Sequence, residues 1–246
     1  MAEDMDSALV GFFSKNRKPI LVCAGAIVLA LAVFLIVSIV ADLRISAAIE
    51  RLDETFVPRY EKLSAVSAGT AAAGGGAEDA ASDGDAIAEA GDAGGADSAD
   101  ALVKDLVEFA ASCSGYPSAR AWSMAGALYF ERSAWKEAEE AYLQSAQKGG
   151  KTYLAPVSSY NAAVCAEEGG DLEGAIEHYE RVLSHQDFPQ AAHAQFSIGR
   201  LYEALEKTDL AKQAYQNIVD KRSDYTGWTE LATDRLIVIE AAGAGD

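Results

Sequence analysis

Lys148 to Thr152 read KGGKT. Glycines followed by Lys and Thr can cradle nucleotide phosphates, provided that a further Gly stands upstream and the turn joins a strand to a helix. Ser145 occupies the upstream position and both flanks carry helical periodicity. The stretch therefore reads as a helix C-terminus and a loop between helices. His178, His185 and His193 lie seven and eight residues apart. Two imidazoles ligating one metal from a helix face need a spacing of about four, so packing or surface roles are expected. Cys23, Cys113 and Cys165 form no CxxC pair and no zinc spacing. A Cys113–Cys165 bridge would need Cα atoms within about 7 Å; a buried free thiol is the favoured reading for Cys165. No Ser-His-Asp set or paired-carboxylate motif stands out. The expectation is a protein with no catalytic, metal-ligating or cofactor-binding residues, and not an enzyme.

What elements carry these residues follows from the rest of the chain. The 246 residues bear a formal net charge of -18, which argues against a nucleic-acid partner, because phosphate neutralisation needs clustered Lys and Arg. Strand-like alternation persists nowhere, and the fold class expected is all-α. Ile20 to Ala41, ILVCAGAIVLALAVFLIVSIVA, carries no charge. About 20 apolar residues cross a bilayer, whereas the apolar core of a secretory signal has roughly 7–15. An uncleaved transmembrane helix over 20–41 is expected, with a signal peptide as the competing reading. Lys15, Arg17 and Lys18 cluster before it, and Arg44, Arg51 and Arg59 follow. The tight N-terminal cluster and short tail favour residues 1–19 in the cytoplasm and the remainder outside.

Beyond the span, Ile45, Ile49, Leu52, Phe56 and Leu63 form a heptad-like stripe interrupted by Pro58. This predicts an amphipathic juxtamembrane helix over 42–66, with a weak homodimer contact as the alternative. Residues 67–100 are mostly Ala, Gly and acids such as Glu78, Asp83, Asp92 and Asp100, without one basic residue. Such a composition buries too little apolar surface to offset chain entropy. A disordered linker is expected there, with engagement of a basic partner as an alternative role.

From residue 119 the pattern repeats. Ala138, Ala175 and Ala211 each precede a tyrosine by four residues: Tyr142, Tyr179 and Tyr215. Twelve before each alanine stands Gly126, Ala163 or Gly199, and nine before it Tyr129, Ala166 or Tyr202. Each unit of roughly 36 residues holds two helical patterns and a short turn such as EEGGDLEGA. A mid-helix glycine costs about 1 kcal/mol against alanine, so Gly126 marks a close approach between helices, expected to be with Ala138. Trp122, Tyr129 and Tyr142 would fill the space around it.

These positions resemble the tetratricopeptide repeat, a helix–turn–helix of about 34 residues whose units must stack to bury their apolar faces. The resemblance implies a solenoid over 101–242. Its repeats would lie near 119–152, 156–189 and 192–225, after a leading helix with Leu102, Leu106 and Phe109. A closing helix over 226–241 would present polar residues outward. The repeat-packing residues would be Trp122, Gly126, Tyr129, Ala138, Tyr142, Ala175, Tyr179, Gly199, Tyr202, Ala211 and Tyr215. The resemblance further implies that first helices line a groove for a peptide segment or a partner's helix. Arg120, Ser123, Ala127 and Phe130 would line it in the first unit. Val157, Tyr160, Val164 and Glu167 would follow in the second, and His193, Phe196, Arg200 and Glu203 in the third. In layout the chain is similar to single-span bacterial repeat proteins such as the YfgM-like ancillary subunits of the Sec translocon. That likeness implies a scaffold in the inner membrane with its repeats in the periplasm. A scaffold like those of the Tol system is the alternative, and a nucleotide-binding regulator using GGKT the least favoured.

Overall fold

A computed structural model describes residues 17–74, 92–185, 188–221 and 226–243. The chain divides into two compact units, Met1–Ala48 and Ile49–Asp246. Every element among the described residues is helical: α1 Arg17–Arg51, a π turn Leu52–Phe56, α2 Val57–Gly74, α3 Asp92–Ser112, α4 Tyr116–Glu131 and α5 Trp135–Gly149. The series continues with α6 Leu154–Glu168, α7 Leu172–Leu183, α8 Ala191–Ala204, α9 Thr208–Asp220 and α10 Thr226–Gly243.

The described residues of the first unit are those of α1 up to Ala48. Ile27, Leu29, Val33, Phe34, Ile36 and Ile39 are all exposed, so apolar side chains surround the helix on every side. Such a helix needs an apolar surrounding. It is the one described helix long and apolar enough to cross a membrane, as a membrane anchor or a signal sequence is. Most of the expected tail, 1–16, lies outside the described residues.

In the second unit, consecutive helices pack against one another from α3 to α10, and α4 also touches α6 as α8 touches α10. Such nearest-neighbour packing is the geometry of a repeat array. Three tight turns generate it: Ser133, Gly170 and Glu206 take positive φ. After each, an amide reaches back five residues: Ala134 to Tyr129, Asp171 to Ala166 and Lys207 to Tyr202, at 3.0, 2.8 and 2.8 Å. This is the Schellman closure, which satisfies the last carbonyls of a helix. Only Asp171 among the three following N-caps accepts a side-chain bond, from the Gly174 amide at 2.9 Å.

The glycines sit where the repeat pattern put them, but they make room for a different side chain. A Cβ on Gly126 would lie 3.0 Å from the Tyr142 ring, and one on Gly199 only 2.6 Å from Tyr215. The partner of the bare backbone is thus the tyrosine one turn beyond the alanine. Ala138, Ala175 and Ala211 are fully buried in three successive core clusters. Tyr142, Tyr179 and Tyr215 are buried too, whereas Trp122, Tyr129 and Tyr202 are half-buried.

Two further departures concern the residues before the array. The helix continues to Gly74 and α3 begins at Asp92, so the ends of the expected linker 67–100 are helical; 75–91 lies outside the described residues. The stripe read as a free amphipathic helix or homodimer contact is partly covered by its own domain. Leu52 and Phe56 are buried, and the Phe56 ring lies 5.1 Å from Phe109 of α3. Arg59 pairs with Asp105 at 2.7 Å and Asp53 with Arg120 of α4 at 2.5 Å. The local cause is Pro58. Its missing N–H and its ring forbid the normal bond to the fourth residue back; one residue earlier, the Val57 amide bonds Leu52 five residues back, widening the turn.

Candidate protein-binding face

The first helices of the units, α4, α6 and α8, and then α10 lie side by side through the α4–α6 and α8–α10 packing and through rings linking α6, α8 and α10. Tyr160 of α6 lies 5.6 Å from His193 of α8, which lies 4.9 Å from Trp228 of α10. Phe196 bridges Trp228 and Tyr215 at 5.4 and 5.3 Å, and Tyr160 also meets Tyr179 and Phe188. Tyr160 and His193 are bonded through the hydroxyl and Nδ1. Burial, reinforced by Glu167, pushes the Tyr160 phenol up. Burial, reinforced by the Arg200 charge, pulls His193 below its ordinary value. The phenol is therefore protonated and the imidazole neutral near pH 7, and the imidazole tautomer sets which of the two donates.

A second device recurs along this face. Glu167 accepts from Tyr179 at 3.3 Å and from Arg200 at 2.5 Å. Glu203 accepts from Tyr215 at 2.5 Å and from Arg235, whose Nε lies at 3.1 Å. Each glutamate thus joins the tyrosine of its own unit to the arginine of the next first helix. Burial opposes the charge on Glu203, but hydrogen bonds from Arg235 and Tyr215 outweigh it and hold the carboxyl below its ordinary value. Burial and the adjacent carboxylates push Tyr179 and Tyr215 up.

These contacts place the sequence-derived groove residues. Tyr160, Val164, His193 and Phe196 are half-buried, packed on one side against neighbouring repeats. Phe130 is half-buried with its ring 5.0 Å from Trp135. Arg120 is committed to Asp53, and Ser123 is half-buried. Arg200 presents the most open side chain of the set, 53% exposed, while bonded to Glu167. The structure brings Tyr160, Val164, His193, Phe196 and Arg200 together across α6 and α8; Arg120, Ser123 and Phe130 lie on α4. Sequence spacing missed Trp228 and Arg235 as continuations of this face. The recurrence of Arg200 as Arg235, each answered by a glutamate one unit back, was the available signal.

The remaining chemistry-bearing residues have structural surroundings. Gly150 takes φ 57 and its amide returns to Ala146, so KGGKT ends α5 and leads into α6. Ser145, at the position where a phosphate loop needs glycine, is buried and bonds the Ala119 carbonyl and Ser158, both at 2.7 Å. His178 bonds Glu139 through Nε2 at 2.9 Å. Cys113 and Cys165 are free thiols; burial pushes Cys165 up to about 12. Among the described residues no group of three His, Cys, Asp or Glu side chains is arranged to hold a metal ion.

The tetratricopeptide repeat family model matches residues 158–186 and 193–224, the second and third hairpins. This region of the chain is therefore a tetratricopeptide repeat array. A curated relative, a "TPR repeat-containing protein" of Treponema pallidum (strain Nichols), is 36% identical over 146 residues, 58% of this chain and 61% of that protein. The chain thus spans about three fifths of that relative's length. Two crystal structures of nearly identical TPR-like repeats from a Podosopora anserina kinesin light chain align with TM-scores of 0.43 and 0.42 at 13% and 15% identity. Both alignments cover 61% of this chain, and 91% and 89% of those chains.

Proposed function

We propose that the protein is a single-span membrane-anchored adaptor. Its N-terminus lies in the cytoplasm and its repeat array binds other proteins on the extracytoplasmic side. The observation that carries this reading is the joining in one chain of a wholly exposed apolar helix to tetratricopeptide repeats, a fold that generally mediates protein–protein contacts. The half-buried aromatic and arginine side chains of α6 and α8 support the first-helix face as the binding surface, since such residues are enriched at interface hot spots. By layout the favoured setting is the Sec translocon and periplasmic chaperones, with a Tol-like envelope scaffold as the second reading.

Co-purification of the tagged full chain from membranes in mild detergent tests this. Recovery of translocation-channel subunits with chaperones supports the first setting, division or Tol components the second, and neither removes both. Arg200→Glu then probes the face itself. It leaves Tyr160 and Phe196 packed, so loss of partner capture with unchanged helicity would place binding there.

A further inference from the structure

Arg200 reaches back to Glu167 and Arg235 reaches back to Glu203, so Arg235 of α10 corresponds to Arg200 of α8. By that correspondence Leu231, Asp234, Ile237 and Val238 stand where α8 has Phe196, Gly199, Tyr202 and Glu203. In α8, Phe196 and Gly199 receive α9: the Phe196 ring lies 5.3 Å from Tyr215, and Gly199 faces the same ring. In α10 the corresponding side chains are exposed. Leu231, Ile237 and Val238 are 48%, 59% and 52% exposed, while Thr229, Ala232 and Ile239 on the opposite side are buried. The helix thus has two apolar faces, one used. It does not close the solenoid with the polar outer face expected from the sequence, as a capping helix should.

We infer that this outer face of α10 is a docking site for a partner protein's amphipathic helix, lying on the side where α9 lies on α8 but farther out, because Asp234 stands where Gly199 leaves the backbone bare, with a Lys or Arg opposite Asp234. The charge pattern selects the occupant. Where α8 offers bare backbone to a tyrosine ring, α10 offers the Asp234 carboxylate, which makes no bond or ion pair among the described residues. A helix crossing there meets a negative charge flanked by exposed Glu230 and Glu240. Apolar contact with Leu231, Ile237 and Val238 and a cation on Asp234 satisfy both parts of the surface. A second copy of the same face would set these three carboxylates against their like, which is repulsive. The site uses none of the first-helix groove residues and stands or falls independently of partner binding there.

The test uses the full chain in detergent micelles and a fluorescent, stapled helical peptide copying Lys207–Lys221. One version carries Tyr215→Lys and a second Tyr215→Glu. Anisotropy titration should show the lysine version binding at least tenfold tighter. Ile237→Asp in the protein should abolish that binding, and Asp234→Lys should reverse the preference between peptides. Both positions are exposed, so circular dichroism should not change. Equal or absent binding of the two peptides, or a preference indifferent to Asp234→Lys, overturns the proposal. So does a full-chain dimer in sedimentation that Ile237→Asp dissociates, because the occupant is then a second copy.

Discussion

A hydrogen atom in place of a side chain decides how close the two helices of a hairpin can come, and the two unit glycines are not equally constrained. Gly199→Ala would drive a methyl to 2.6 Å from the Tyr215 ring, whereas Gly126→Ala meets Tyr142 at 3.0 Å. Overpacking of this kind costs about 1–3 kcal/mol, and alanine returns up to about 1 kcal/mol of helix propensity. Urea unfolding should therefore find Gly199→Ala clearly destabilised and Gly126→Ala nearly neutral. At the hairpin turns glycine is again the favoured residue. Glu206 holds φ 57 where the second unit uses Gly170, and a left-handed conformation costs a non-glycine residue about 1–2 kcal/mol. Glu206→Gly should raise the melting temperature, and Gly170→Ala should lower it. Thiol labelling should modify Cys113 well before buried Cys165, whose thiolate is suppressed until the chain unfolds.

Between elements, the first helices are held by two acid-sensitive devices with separate pH windows. His193 titrates below its ordinary value near 6.5 because it is buried beside Arg200. Its contribution to stability is complete above that unfolded value and is lost as pH falls through the lower folded one. The groups facing it are Tyr160, Trp228, Arg200 and Glu167. Glu203, also lowered, contributes fully above the ordinary carboxyl value and loses that contribution as pH falls through its own folded value. A plot of melting temperature against pH should descend in two steps. His193→Gln should flatten the upper step and Glu203→Gln the lower. A single step unaffected by His193→Gln would show that the Tyr160–His193–Trp228 contact does not titrate with folding.

On the scale of the whole molecule, the acidic stretch takes a different place from the one its composition suggests. Phe56 and Arg59 lie before it and contact Phe109 and Asp105 of α3, which follows it. Residues 75–91 therefore connect two parts of one packed unit and do not stand between a free helix and a distant domain. A protease site inserted within 75–91 and cleaved should leave the 92–246 fragment associated with the 1–74 fragment after detergent extraction. Phe56→Ala should release it, since burying a phenylalanine is worth about 1.5–3 kcal/mol and the accompanying ion pairs are exposed. Separation of the unsubstituted fragments on cleavage would return the stretch to the role of a tether.

The sequence by itself determined the helical class, the uninterrupted apolar helix, and the repeat with its small residue, alanine and tyrosine in fixed order. Each is written in local spacing: about 20 apolar residues for a span, and one recurring interval for a hairpin that must stack. The resemblance to the repeat family, not the spacing alone, grouped Tyr160, Val164, His193, Phe196 and Arg200 as first-helix positions. Only the tertiary structure decided what those side chains touch. Glu167 and Arg200 lie 33 residues apart, as distant in the chain as any two unrelated charges, until stacking brings their helices together. The same holds for Phe56 on Phe109 and for the uncovered Leu231, Ile237 and Val238. Periodicity shows that a side chain is apolar and which face it shares; whether that face is buried depends on a helix elsewhere in the chain.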